Sequence, residues 1–348
     1  MGKRAPVPVP VSGFRSIAVL RLSSLGDVVL TLPAVRALRA AWPNARLHYW
    51  VKEEYADVVR HDPAVDHVRV LEKDARAIED LVSMSAELED CDLIVDLQDN
   101  TRTRVLTLRQ KAPVLRTARY RVRRALWVHA RWLRPEPVPD ARARYAESLA
   151  PLGLAVTGTP WLEAGEEAER WAAAWLREWA PGGPPVALAP GALHATKRWP
   201  ESHWCELDGR LAARGLPRIV FSTAAEKRGL PALAARVSAD TRARWVCEPL
   251  PRVSALLSGC ALAVSHDSGL MHVAAARGLR VVALFGSTSP VLGFAPAGEG
   301  HVVLCRNEPC QPCTLHGRER CPQGHFHCMT LITAAEVDAA VERVHGGA

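Results

Sequence analysis

Asp27 follows an apolar run through the turn Ser23-Ser24-Leu25-Gly26 and opens a helical stretch. Gly26 permits a sharp bend of the backbone there. A carboxylate held in such a turn can act as a general base on a hydroxyl. Its plainer use is to cap the orphan N–H groups of the helix. Lys197 lies in the loop Pro190-Gly-Ala-Leu-His-Ala-Thr-Lys-Arg-Trp-Pro200, a small-residue stretch with two cations just before a helix start. Cations and free N–H groups converging in this way suit a phosphate, though an exposed cationic loop is the plain alternative. The third stretch is Ser265-His-Asp267-Ser268-Gly269-Leu270-Met-His272. Asp267 and Ser268 can cap a helix, Gly269 admits close backbone approach, and the N–H groups behind them could hold a diphosphate. His272 on its own reads more readily as a packed or capping histidine than as a ligand. G-x-S-x-G, H-E-x-x-H, a Walker A loop and a G-x-G-x-x-G after a strand are all missing, which argues against a serine hydrolase, a zinc protease, a P-loop enzyme and an NAD enzyme.

The elements that must position these residues alternate between short apolar runs and amphipathic stretches. Ile17–Leu22, Leu47–Val51 and Asp92–Leu97 read as buried strands, with helical stretches from Asp27 to Ala41 and from about Asp74. Pro33 marks a kink or a second helix start. The second half repeats the rhythm. Val186–Ala189, Arg218–Ser222, Ala261–Ser265 and Val281–Phe285 read as strands, and Pro200–Arg214, Glu226–Ser238, Arg252–Ser258 and Ser268–Arg277 as helices. This βαβ pattern predicts parallel sheets covered on both faces. Pro181-Gly-Gly-Pro-Pro185 is the clearest linker. The expected division is a tail at 1–13, an α/β domain at 14–180, a second at 185–332, and a helix at 333–345 that could pack on either. The motifs fall at strand-to-helix junctions, where ligands of open α/β sheets bind.

Composition narrows the class. The chain has 348 residues, enough for two domains with cores of their own. No run approaches the length of a membrane span, and the N-terminus carries no apolar signal segment, so the cytoplasm is the expected location. Residues 101–134 carry eleven Arg and Lys and no Asp or Glu. So one-sided a patch predicts an anionic partner, whether phosphorylated substrate, lipid surface or nucleic acid. The bland alternative is a solvated helix face. Cys310, Cys313, Cys321 and Cys328 form a C-x₂-C-x₇-C-x₆-C pattern. Four soft ligands on one loop read as a structural zinc site, with an iron–sulfur site second and a metal-free cysteine-rich loop as the plain alternative.

Together these stretches resemble glycosyltransferase family 9, the ADP-heptose:lipopolysaccharide heptosyltransferases. The resemblance rests on Ser23-Ser24-Leu25-Gly26-Asp27 after its strand, on Asp96-Leu-Gln-x-Asn100-x-Arg102, on Lys197-Arg-Trp-Pro200, and on Asp267-Ser268-Gly269-x-x-His272. It spans about residues 15–345. It implies a GT-B fold of two facing Rossmann-like, doubly wound α/β domains with a cleft, and inverting transfer of heptose from ADP-heptose to the lipopolysaccharide inner core. Asp27 is then the base. Thr196, Lys197, Glu226, Asp267, Ser268, Gly269, Leu270 and His272 fall on the donor side, and Ser23, Ser24, Asn100 and Arg102 on the acceptor side. No cofactor is needed for the transfer, peripheral contact with the inner membrane is expected, and nucleic acid is not. Asp99 departs from the family, which usually has Gly there. Two other readings compete: a GT-B enzyme with another nucleotide sugar, and a basic protein that binds nucleic acid or a membrane surface through residues 101–134.

Overall fold

The computed structural model describes residues 13–71, 84–179 and 182–346. The expected tail lies almost wholly outside them, as does the start of the helical stretch from Asp74. The chain forms two compact units. One runs to Arg119 and takes in Ala141–Glu163; the other comprises Tyr120–Asp140 and everything from Ala164 onward. The border at Glu163 precedes the Pro-Gly run, so the helix Glu166–Trp179 belongs with the second unit.

The first unit holds a five-stranded sheet of β1 (Ser16–Leu20), β2 (Arg46–Lys52), β3 (His67–Leu71), β4 (Leu93–Asp96) and β5 (Val114–Arg116), in the order β3-β2-β1-β4-β5. Every pairing is parallel. β4 is wholly buried and β1 nearly so, as expected of central parallel strands whose two faces are covered. A short helix, Leu25–Val29, follows β1, and Leu32–Ala41 starts afresh with Pro33 in its first turn. Pro33 therefore begins a second helix and does not kink a first.

The second unit holds β6 (Val186–Ala189), β7 (Arg218–Phe221), β8 (Ala243–Val246), β9 (Leu262–His266), β10 (Val281–Phe285) and β11 (Val302–Cys305). Their order is β11-β10-β9-β6-β7-β8, again all parallel. The helix expected over Glu226–Ser238 is broken at Gly229-Leu230-Pro231 into Ala224–Arg228 and Pro231–Ala239, because Pro231 cannot donate inside a helix. The last helix, Ala334–Gly346, opens on a reciprocal Thr333–Glu336 capping box and lays Val337, Val341 and Val344 on the helix Glu201–Ala213 and on β9 and β10. It belongs to the second unit.

Both sheets are doubly wound. The chain runs outward to one side from β1, then returns to β4 and runs to the other; β6 and β9 repeat the pattern. The strand ends at β1/β4 and at β6/β9 are thus topological switch points, where loops diverge and leave a crevice. β1 and β4 meet with Leu20 beside Asp96, and β6 and β9 with Ala189 beside Ser265. The sequence motifs leave the sheets from these four strand ends.

Candidate active site

In the first unit the two loops at the switch point are tied together by Gln98. Its Oε1 accepts the N–H groups of Leu22 (2.7 Å) and Ser23 (3.1 Å), and its Nε2 donates to the Ser23 hydroxyl (3.2 Å). The turn that carries Asp27 is fixed in this way to the end of β4. Asp27 is the third residue of its short helix. Its Oδ2 accepts from the Ser24 hydroxyl (2.9 Å) and pairs with the Arg21 guanidinium (2.8 Å), and the Tyr145 hydroxyl stands 3.5 Å from Oδ1. The two oxygens differ in their contacts: Oδ2 closes the turn, and Oδ1 faces the Tyr145 hydroxyl. Burial pushes the Asp27 carboxyl up, but Arg21, the Ser24 hydrogen bonds and Arg144 outweigh it and hold the group below its ordinary value. Asp27 is thus kept ionised, the state a general base needs.

The predicted acceptor residues divide. Ser23 and Ser24 lie in the Asp27 turn, with their hydroxyls engaged by Gln98 and Asp27. Asn100 caps the helix Thr101–Leu106, its Oδ1 accepting the Thr103 N–H at 3.0 Å. Arg102 is exposed on that helix. Asp99 sits at φ +47°, a left-handed conformation that glycine adopts freely and an aspartate tolerates. Its carboxylate is taken by Arg104 at 2.8 and 3.2 Å. The extra charge is thus neutralised locally.

In the second unit Lys197 points its Nζ at Asp267 Oδ2 across 2.7 Å, and Thr288 donates to the same oxygen at 2.7 Å. The pair stands at the start of the helix Gly269–Ala276, whose N-cap, Ser268, makes no side-chain cap bond. His266 locks the Lys197 loop to β9: its Nε2 accepts the Trp199 N–H at 2.8 Å, and Nδ1 faces the Gly191 carbonyl at 3.5 Å. Burial, with Lys197 and Arg198 adding to it, pushes the imidazole down to about 3, so it stays neutral in this role. Arg198 folds back on the carbonyls of Ala192 and Leu193. Thr196 is buried, its hydroxyl held between Ser287 (2.8 Å) and the Arg318 N–H (2.8 Å), so it braces the loop. Glu226 forms a capping box with Thr223 and lies against Gly191, where a Cβ would stand 2.3 Å from its Oε1. Only glycine lets that carboxylate approach the end of β6. Leu270 is half-buried and His272 buried on the following helix.

The cysteine loop backs this site. Gln311 Nε2 donates to the carbonyls of Gly286 (2.6 Å) and Thr288 (2.9 Å), and the Cys313 N–H to that of Ser287 (3.0 Å). The turn Cys310–Cys313 thereby clamps the loop that carries Thr288. Cys328 is pushed up to about 12 by burial and by Cys313, Cys310 and Cys321 nearby. Among the described residues, however, no three His, Cys, Asp or Glu side chains are gathered to hold a metal ion.

Sequence reasoning missed Arg21, Gln98, Tyr145, His266 and Thr288. Gln98 and His266 lie inside the quoted motifs. Tyr145 comes from a helix far along the chain and carries no local signal.

Each unit thus carries a doubly wound parallel sheet, with a held carboxylate at the switch point of the first and a cation beside a helix start at that of the second. A family model, "Glycosyltransferase family 9 (heptosyltransferase)", matches residues 82–323. Lipopolysaccharide heptosyltransferase 1 of Pseudomonas aeruginosa is 31% identical over 319 residues, 85% of each chain. Among solved structures, a family 9 glycosyl transferase from Veillonella parvula superposes with a TM-score of 0.80 at 20% identity, covering 96% of this chain and 98% of that one. The E. coli ADP-heptose lps heptosyltransferase II superposes with 0.71 at 21%, covering 95% and 99%. The chain belongs to glycosyltransferase family 9.

Proposed function

We propose that the enzyme moves heptose from ADP-heptose to the inner core of lipopolysaccharide, inverting the anomeric carbon. Family membership and the name of the Pseudomonas aeruginosa relative support the sugar and the acceptor. The observation that carries the chemistry is the Lys197–Asp267 pair, held at a helix start on a switch point. Asp267 aims the ammonium, and the Gly269 helix start offers N–H groups; a leaving diphosphate would be met by both.

The first unit is assigned the acceptor and the second the donor. The Asp27 carboxylate takes the proton of the acceptor hydroxyl while its oxygen bonds to the anomeric carbon. The bond from that carbon to the diphosphate oxygen breaks, and ADP leaves with its charge met by Lys197. Glu226, beside Gly191, is assigned the donor ribose. No cofactor enters the transfer, and zinc on the cysteine loop has no part in it. A lipid-borne acceptor places the reaction at the cytoplasmic face of the inner membrane, with the enzyme in peripheral contact. Among the described residues no helix is long and apolar enough to cross a membrane.

Asp27→Asn is expected to bind ADP as the parent does and to lose at least ~10²-fold in turnover. Calorimetry with ADP and a coupled ADP-release assay measure the two quantities. Undiminished turnover would remove Asp27 from the mechanism.

A further inference from the structure

The geometry points to residues 121–134 as the surface by which this protein docks on an anionic bilayer. The inference deepens the peripheral-membrane part of the reading above and draws nothing from the donor chemistry. The helix Arg121–His129 is anchored on one side: Val128 is buried, Arg124 stacks on Phe294 at 4.8 Å, and its guanidinium donates to the Leu292 carbonyl. Arg131 is pinned to the Pro309 carbonyl. On the other side Arg121, Val122, Ala125 and His129 are all exposed, and positions 121, 125 and 129 share a helix face.

Large apolar side chains stand in water beside these charges. Val122 is 75% exposed, Trp132 76% and Leu133 52%, with the exposed Arg134 next in the chain. Within the same stretch Tyr120, Val122, Leu126 and Pro135 line an open cavity of about 570 Å³. Glu136 lines it too, but is paired with Arg123 at 3.0 Å, so it does not cancel Arg121 or Arg134. A basic surface studded with an exposed Trp, Leu and Val has the composition of an interfacial membrane site. The apolar side chains enter the headgroup boundary and the guanidinium groups meet lipid phosphates. A nucleic-acid surface would draw on the same charges but gains nothing from Leu133 and Val122 in water, so charge and apolar exposure together favour lipid.

The test is co-sedimentation of the full chain with vesicles of phosphatidylcholine alone and of equimolar phosphatidylglycerol and phosphatidylcholine. Binding is expected to the anionic vesicles only. Each basic residue at such a surface contributes roughly fivefold, so the double variant Arg121→Glu, Arg134→Glu loses at least about tenfold in partitioning. Trp132→Ala with Leu133→Ala weakens binding at unchanged charge. All four residues are largely exposed, and an unchanged melting temperature shows that the fold is kept. Equal binding to both vesicle types, or anionic binding that ignores both double variants, overturns the inference. So does capture of a single-stranded oligonucleotide, lost in the arginine variant, with no vesicle binding. Failure of sugar transfer with intact vesicle binding would strike the donor reading alone.

Discussion

Asp27 and Arg21 are best taken as one unit. The carboxylate is lowered in spite of burial because a guanidinium lies 2.8 Å away, with Ser24 and Arg144 adding to it. The depressed value means that the ionised base persists to lower pH than a free carboxylate would, and protonation removes it only as the pH falls through that value. Arg21→Gln is therefore expected to shift the acid limb of the kcat/KM profile to higher pH, with turnover at neutral pH retained in part. A profile that does not move would show that Arg21 has no hold on the base. The placement of Asp27, Lys197 and Asp267 at strand-to-helix junctions was legible in the sequence because it is local to short motifs. Asn100 was legible in type but not in use: the same side chain that could meet an acceptor caps a helix. Tyr145 and Arg144 were not legible, since only the folded sheet brings their helix to Asp27.

At the scale of elements, the central strands could be read and the edges could not. β3, β5, β8 and β11 are the four outermost strands; β5 has only three residues, and β11, Val302-Val-Leu-Cys305, is apolar but short and largely half-exposed. His67-Val-Arg-Val-Leu71 and Ala243-Arg-Trp-Val246 interleave charge or half-exposed rings, as strands do where one side is left to solvent. β1, β6, β9 and β10 are covered on both faces and announce themselves. The loops at the switch points are held by buried polar bonds, among which His266 has a measurable consequence. Unfolded, its imidazole takes a proton near the ordinary value of 6.5; folded, it refuses one until about 3. Between those values the unfolded chain binds more protons, so acid favours unfolding. Stability is expected to fall by about 2 kcal/mol from pH 7.5 to pH 5 on this account. His266→Gln, which can still accept from Trp199, should flatten that part of the profile in denaturant titrations. An unaltered slope would assign the acid sensitivity elsewhere.

For the whole molecule, the Pro-Gly run expected as the linker falls within the second unit, after its border with the first at Glu163. Composition shows where a chain is exposed, whereas the border depends on which helix packs on which sheet. The helix Glu166–Trp179 packs on Leu250–Ser258, with Leu176 against Gly259 and Glu169 paired with Arg277. A protease site placed at the exposed Gly182–Gly183 should therefore give two pieces that stay together after native cleavage, because both contribute to the second unit. Pieces that part on gel filtration would put the border at the linker after all. Release of free nucleoside diphosphate across a panel of nucleotide sugars, with a lipopolysaccharide core acceptor present, tests most directly what the molecule does with its two switch points. The expected result is acceptor-dependent release of ADP from ADP-heptose and none from the other donors; release from a different donor, or from none, would contradict it.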